Sequence, residues 1–224
     1  PALIENAAKL AGMPVGPLAV SDEVTLELQW KVTRQTEQDL GARYRRPVSY
    51  EVLQRMVVEL KRLGRRSGGG FYDYPAGLPK QLWPGLAQHW PPAAEQPSVT
   101  DVRERLLHIQ ALETARCVEE GVLTDPADGD LGSILGIGFP AWSGGALSYI
   151  DTIGIAVFVA DCTRLARTHG PRFKPARWLQ QRAERGESFY PPMAIRGRDF
   201  AHVTLAPDSA TIQRVATPND DSRR

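Results

Sequence analysis

Two aspartates occupy matching places in the chain. Asp22 lies in Gly16-Pro17-Leu18-Ala19-Val20-Ser21-Asp22-Glu23-Val24, and Asp151 lies in Gly145-Ala146-Leu147-Ser148-Tyr149-Ile150-Asp151-Thr152-Ile153. In both stretches Gly leads by two positions to Leu, by six to Asp and by eight to a β-branched apolar residue. Paired carboxylates are one arrangement for acid and base work, when their surroundings push their pKa values apart. Here both aspartates share one local setting, and a carboxylate that accepts from the free N–H groups of a helix start explains both. The sequence therefore predicts Asp22 and Asp151 to be helix caps.

Other chemistry-bearing patterns are weaker. Gly136-Ile137-Gly138-Phe139-Pro140-Ala141 satisfies G-x-G-x-x-A, with Asp161 downstream. A dinucleotide fingerprint needs a strand before it and a helix opening within it, whereas here a helical segment precedes and Pro140 interrupts. A helix-ending turn is predicted instead. The run Gly64-Arg65-Arg66-Ser67-Gly68-Gly69-Gly70 would offer guanidinium and N–H groups to a phosphate, yet no Gly-Lys-Ser/Thr follows it. The structural reading is favoured, with the arginines at the negative end of a helix and the glycines turning the chain so that Phe71 and Tyr72 dock. His89, His108, His169 and His202 show no metal-ligand spacing, so no metal is expected. Cys117 and Cys162 are not in a C-x-x-C pair and read as buried small hydrophobes. No Gly-x-Ser-x-Gly elbow is present. The sequence thus names no catalytic, cofactor-binding or metal residue.

The elements that position these residues are helices. Leu3, Ala7 and Leu10 mark an opening helix that stops at Gly12. The two prolines between Met13 and Pro17 make a rigid turn. Val24, Leu28 and Val32 mark one face of a helix reaching Leu40, and Leu53, Met56, Val57, Leu60 and Leu63 mark another that ends at Gly64. Residues 75–99 hold six of the 18 prolines with Trp83, His89 and Trp90, a connector wrapped on the surface. Val102, Leu106, Ile109, Leu112, Ala115 and Val118 give the clearest helix, starting near Ser98 or Thr100. Asp125-Pro126 opens a short helix; Ile155, Phe158, Cys162 and Leu165 mark the next, and Trp178 and Leu179 the last. Period-two alternation is missing, so the chain is predicted to be all-α.

Matching landmarks extend beyond the aspartates. Gly12-Met13-Pro14 precedes the first copy and Gly138-Phe139-Pro140 the second, while a glycine-bearing loop with an aromatic pair follows each, Gly70-Phe71-Tyr72 and Gly186-Glu187-Ser188-Phe189-Tyr190. Ordered landmarks indicate an internal duplication. The domains expected are 1–80, a connector 81–99, 100–190, and an irregular tail 191–224, in which Val203-Thr204-Leu205 would lie as an extended strip. With 27 basic and 26 acidic residues the formal net charge is +1, which argues against nucleic acid or a charged membrane surface as partner. No stretch approaches the length of a membrane span, and a cytoplasmic location is expected. Pro1 opens the sequence inside a helical pattern, so the chain reads as a fragment whose first domain lacks its N-terminal helix.

Taken together, Gly12-Met13-Pro14-Val15-Gly16-Pro17-Leu18-Ala19-Val20-Ser21-Asp22-Glu23-Val24 and Ser67-Gly68-Gly69-Gly70-Phe71-Tyr72-Asp73-Tyr74 resemble the C-terminal domain of 3-hydroxyacyl-CoA dehydrogenases. Glu119-Glu120-Gly121-Val122, Asp128-Gly129-Asp130-Leu131-Gly132, Gly138-Phe139-Pro140 and Gly144-Gly145 resemble the second copy of that domain in the multifunctional α-subunit of the bacterial fatty-acid oxidation complex. The resemblance covers about residues 1–190. It implies two tandem helical domains of the 6-phosphogluconate-dehydrogenase C-terminal type, without a Rossmann domain, that shape the acyl-CoA cleft and mimic internally the dimer of shorter relatives. It implies oxidation of L-3-hydroxyacyl-CoA with NAD, where a histidine oriented by a glutamate takes the hydroxyl proton. Those residues, the NAD site and a substrate-contacting Asn belong to the family's upstream part, and no position here matches them. The turn Met13, Pro14, Val15, Gly16 and Pro17 is, by this resemblance, the part that faces the acyl-CoA substrate. Implied partners are the upstream Rossmann domain, a hydratase/isomerase domain and a thiolase subunit. The other reading is a non-catalytic helical assembly or acyl-CoA-binding module.

Overall fold

A computed structural model describes residues 1–190, and the tail with its Val203-Thr204-Leu205 strip lies outside the described residues. Helices dominate. The first, α1 (Ala2–Ala11), ends where Gly12 takes a φ of 99°, which lets the N–H groups of Gly12 and Met13 turn back to the carbonyls of Lys9 and Ala8. The Met13–Gly16 turn follows, and α2 (Pro17–Val24) starts on a proline, whose missing N–H costs nothing at the first helical position.

The sequence predicts one helix through Val24, Leu28 and Val32, and the structure breaks it. Thr25 takes a φ of 72°, and its hydroxyl accepts from Leu28 N at 3.2 Å to start α3 (Leu26–Leu40). Leu26 becomes the buried residue of α3, while Val24, Leu28 and Val32 are about half exposed. The periodicity was real but its face points outward. A second departure follows α4 (Ser49–Gln54), which widens into a π-type turn over Arg55–Glu59 with Leu60 N donating to Arg55 O. The helix therefore ends near Leu60, not Gly64. The widening brings Arg62 inward, where it donates to the carbonyls of Gly70 and Tyr72 and to Asp73, with its guanidinium over the Trp83 ring.

Residues 75–99 carry more structure than a plain connector. β1 (Tyr72–Asp73) pairs antiparallel with β2 (Gln81–Leu82), Tyr72 opposite Leu82, and α5 (Gly85–His89) buries Leu86. These two short strands are the only ones among the described residues. Then come α6 (Val99–Glu119), α7 (Pro126–Ile137), α8 (Ala146–Ile153), α9 (Ile155–His169) and α10 (Arg177–Arg185). Ser98 Oγ accepts from Asp101 N to start α6, and Asp125 accepts from Ala127 N to start α7.

Two apolar clusters lie within one compact body. One is built from Ala19, Leu26, Leu53, Met56, Val57, Phe71 and Leu86. The other joins Ala11 to Leu107, Leu112, Phe139, Leu147, Ile150, Phe158 and Leu179. Helix α6 is the axis of the second, because α1, α7, α8, α9 and α10 all pack against it. That environment explains why its buried set includes Leu107, His108 and Ala111 beside the predicted Leu112 and Ala115. Cys162 is fully buried and desolvation pushes its thiol up to about 12, in keeping with a small hydrophobe; Cys117 is only half-buried. No single helix among the described residues is long and apolar enough to cross a membrane.

His108 packs face to face on Phe158 at 4.9 Å and edge-on to Tyr149. Burial depresses its pKa below the ordinary 6.5, against weaker opposing contributions from Glu104 and Asp161. Below 6.5 the unfolded chain takes up a proton that the folded chain does not, so this group removes stability as pH falls from 6.5 towards the lower folded pKa. Urea unfolding at a series of pH values is expected to show a smaller slope over that window in His108→Gln than in the parent chain.

Candidate functional site

The repeat resolves into two copies of one carboxylate arrangement. In the first, Glu5 on α1 is buried and accepts from Leu18 N at 2.7 Å, the second residue of α2, and from the Tyr72 hydroxyl at 2.6 Å. In the second, Asp130 on α7 is buried and accepts from Leu147 N at 2.7 Å, the second residue of α8, and from the Tyr190 hydroxyl at 2.7 Å. A negative charge at a helix start meets free N–H groups and the positive end of the helix dipole, which offsets part of the cost of burying it. Capping is thus real in both copies, but Glu5 and Asp130 perform it.

The predicted capping role of Asp22 and Asp151 is corrected accordingly. Asp22 lies inside α2 with no exposed surface, and its two oxygens accept from Phe71 N and Tyr72 N, both at 2.8 Å. Asp151 lies inside α8 and accepts from Phe189 N and Tyr190 N, both at 2.9 Å. Each aspartate fixes the aromatic pair of its own copy across a long stretch of sequence. Tyr74 OH adds a third donor to Asp22 at 3.0 Å. Burial still raises the Asp22 pKa, outweighing the lowering by these donors and by Arg62. Burial and the facing carboxylates raise the Tyr72, Tyr74 and Tyr190 hydroxyls as well, so all three stay protonated donors.

This geometry explains the leading glycines. A Cβ on Gly16 would sit 2.3 Å from a Glu5 oxygen, and one on Gly145 would sit 2.4 Å from the Asp130 side chain. A Cβ on Gly70 would sit 1.9 Å from Asp22 Oδ1. The glycines of 64–70 therefore turn the chain onto Asp22 so that Phe71 and Tyr72 dock. The predicted place of Arg65 differs, because it pairs with Glu23 and lies over the Tyr74 ring instead of closing a helix.

The two turns that precede these glycines meet. The Gly138 Cα faces Pro14, and the Gly12 Cα faces Pro140 and Trp142, whose indole N–H donates to Ala11 O at 2.7 Å. On the open side of this junction runs an apolar groove of 590 Å³. Met13, Pro14, Val15, Pro17, Val20 and Val24 form one wall. The other comes from Leu106 and Gln110 of α6 and the end of α7 with its following glycine. Of the turn residues singled out in the sequence, Met13, Pro14, Val15 and Pro17 line this groove, while Gly16 is buried against Glu5. Leu106 and the α7 end were read in the sequence only as parts of helices, since they border the groove through tertiary packing. The groove suits an apolar chain and holds no nucleophile or base.

Gly136 to Ala141 closes α7, with Gly138 at a φ of 71°. No strand precedes it, and a helix C-terminus presents carbonyl oxygens, the wrong polarity for a pyrophosphate. Gly136 to Ala141 is therefore a helix-ending turn and not a dinucleotide fingerprint.

Residues 1–74 match the family described as 3-hydroxyacyl-CoA dehydrogenase, C-terminal domain. Similar proteins include the fatty acid oxidation complex subunit alpha of Shewanella loihica, 35% identical over 191 residues, which covers 84% of this chain and 26% of that protein. The subunit of the same name from Vibrio cholerae is 34% identical over 181 residues, 80% of this chain and 25% of the relative. The chain thus spans about a quarter of the length of these relatives. Among solved structures, 3-hydroxybutyryl-CoA dehydrogenase from Escherichia coli superposes with a TM-score of 0.57 at 19% identity, over 83% of this chain and 55% of that one. The dehydrogenase part of multifunctional enzyme 1 from Caenorhabditis elegans gives 0.52 at 17%, over 81% and 41%. These likenesses establish the helical fold.

Removing the Asp22 carboxylate strands two buried backbone donors, each at a cost of about 1–3 kcal/mol. Asp22→Ala is expected to lower the unfolding free energy by about 2–5 kcal/mol in urea melts. Asp151→Ala is expected to cost somewhat less, because that side chain is partly exposed. A change within about 0.5 kcal/mol for Asp22→Ala would contradict the role assigned to it.

Proposed function

We propose, from the match of residues 1–74 to the 3-hydroxyacyl-CoA dehydrogenase C-terminal domain, that the whole chain is the tandem C-terminal portion of a multifunctional L-3-hydroxyacyl-CoA dehydrogenase of fatty-acid β-oxidation. Residues 1–80 are one helical copy, 100–190 the second, and 81–99 join them. The repeated carboxylate arrangement supports this division, since Glu5 with Asp22 and Asp130 with Asp151 make the same contacts in the same order. The proposed task is to wall the acyl-CoA cleft and to supply pseudo-dimer packing.

One observation carries the reading. Met13, Pro14, Val15 and Pro17 converge on an apolar groove, and Gly16 lets the turn take that course by leaving room for the buried Glu5. A concave, largely apolar surface recognises an acyl chain by burying it. Hydride acceptance by NAD and proton abstraction belong in this proposal to an upstream Rossmann domain, as the family resemblance implies. The wider protein would include hydratase/isomerase domains, associate with a thiolase subunit and work in the cytoplasm. A non-catalytic assembly or acyl-CoA-binding module is the competing reading, and the half-exposed Val24, Leu28 and Val32 are the observation on its side.

Mixing the chain with a 3-hydroxyacyl-CoA and NAD is expected to yield no NADH absorbance, and sustained turnover would overturn the proposal. Calorimetry with the same acyl-CoA is expected to show binding no tighter than about millimolar, worth about 4 kcal/mol. Saturation at micromolar concentration would favour the binding module.

A further inference from the structure

Away from the groove, one histidine and two carboxylates face each other between α6 and α9. Glu104 and His108 lie one turn apart on α6, and Asp161 comes from α9; one ligand atom from each lies within 4.8 Å of the others. Residues at i and i+4 share a helix face, so α6 presents its pair in a fixed direction. Glu104 and Asp161 retain some exposure, which leaves an entry path, whereas His108 is 2% exposed.

The hydrogen bonds of His108 define its tautomer. Its Nδ1 lies 3.0 Å from the Glu104 carbonyl oxygen, a contact that requires Nδ1–H as the donor, and Tyr149 OH stands farther off at 3.4 Å. In the neutral imidazole Nε2 then carries a lone pair. It is buried, has no hydrogen-bond partner and faces Asp161 Oδ2 at 3.8 Å. A buried lone pair directed at a carboxylate is an unfavourable arrangement unless a cation stands between them. Arg164 pairs with Glu104 and with Asp161 Oδ1, which satisfies the carboxylates, but its guanidinium makes no hydrogen bond to Nε2. An Nδ1–H held by a backbone carbonyl, with Nε2 free, is how metal-binding histidines are usually oriented.

We propose that Glu104, His108 and Asp161 bind a divalent transition metal of the zinc class, with Arg164 occupying the carboxylates in its absence and swinging outward when the ion enters. The imidazole selects against magnesium and calcium, and three protein ligands leave a fourth position for water. Tetrahedral bonds of about 2.0–2.2 Å ask for ligand atoms roughly 3.3–3.5 Å apart, so side-chain rotations of about 1 Å close the site. Arg164 is half exposed on its side chain, and surface ion pairs of this kind are weak, about 0–1 kcal/mol. Two carboxylates and one dication give a neutral cluster that clips α6 to α9.

The test uses the 224-residue chain after dialysis against a chelator. Titration with Co2+ is expected to produce the visible absorption of a low-symmetry site at one equivalent, displaced by Zn2+, and Zn2+ is expected to raise the melting temperature. Arg164→Ala is expected to tighten binding several-fold, because the competing cation is gone. His108→Gln is expected to weaken it by about 100-fold or more. Since His108 packs in the core, Asp161→Asn, at the exposed end, serves as a second variant and is expected to weaken binding at least ten-fold while the fold persists by circular dichroism. Absence of a saturable Co2+ signal in both the parent chain and Arg164→Ala would overturn the proposal, as would binding that neither His108→Gln nor Asp161→Asn weakens.

Discussion

Burial of a carboxylate beside a helix start is the constraint on which the rest of this structure depends. Glu5 and Asp130 are nearly inaccessible to water, and each accepts from the first turn of the following helix and from a tyrosine hydroxyl. A buried charge is tolerated only when its lone pairs are used, so the helix start, the tyrosine and the carboxylate must arrive together. Leading glycines are then obligatory, because a side chain at position 16 or 145 would occupy the space of the carboxylate itself. Asp22 and Asp151 extend the same logic one helical turn further, fixing the backbone of the aromatic pair whose tyrosine returns to the first carboxylate. Each copy is a closed circuit in which every member orients the next.

That circuit determines the direction of the neighbouring turns. With α1 and α2 tied through Glu5, the chain between Gly12 and Gly16 has little freedom, and its prolines remove more. The turn is therefore a rigid wall, suited to a groove that must keep its shape without a ligand. Helix α6 completes the opposite wall because it is packed by five other helices and cannot yield.

Several helix starts and ends were legible in the sequence because they depend on neighbours a few residues away. Gly12, Ser98, Asp125 and Gly138 act where local rules put them. The roles of Asp22 and Asp151 were not legible, since their partners lie 49 and 38 residues away and a capping aspartate looks the same in one dimension. The face Val24, Leu28 and Val32 misled for a related reason: period reports a stripe but not which side of the body it meets. Thr25 at positive φ breaks that helix, and a β-branched residue gives no warning of such a conformation. Of the groove, the turn was visible by resemblance, whereas Leu106 and the α7 end required packing to bring them near.

The two copies have also divided their work, and the turns show how. In the second copy Phe139 is buried, Pro140 lies against Gly12, and Trp142 ties itself to the end of α1 through its indole N–H. That turn is consumed by contact with the first copy. The matching turn of the first copy presents Val15 and Pro17 to open space, backed by the half-exposed Val20 and Val24. Duplication by itself would give two equivalent turns, each free or each buried. Their opposite fates mean that the second turn is spent on contact with the first copy, while the first turn keeps one side open along the groove.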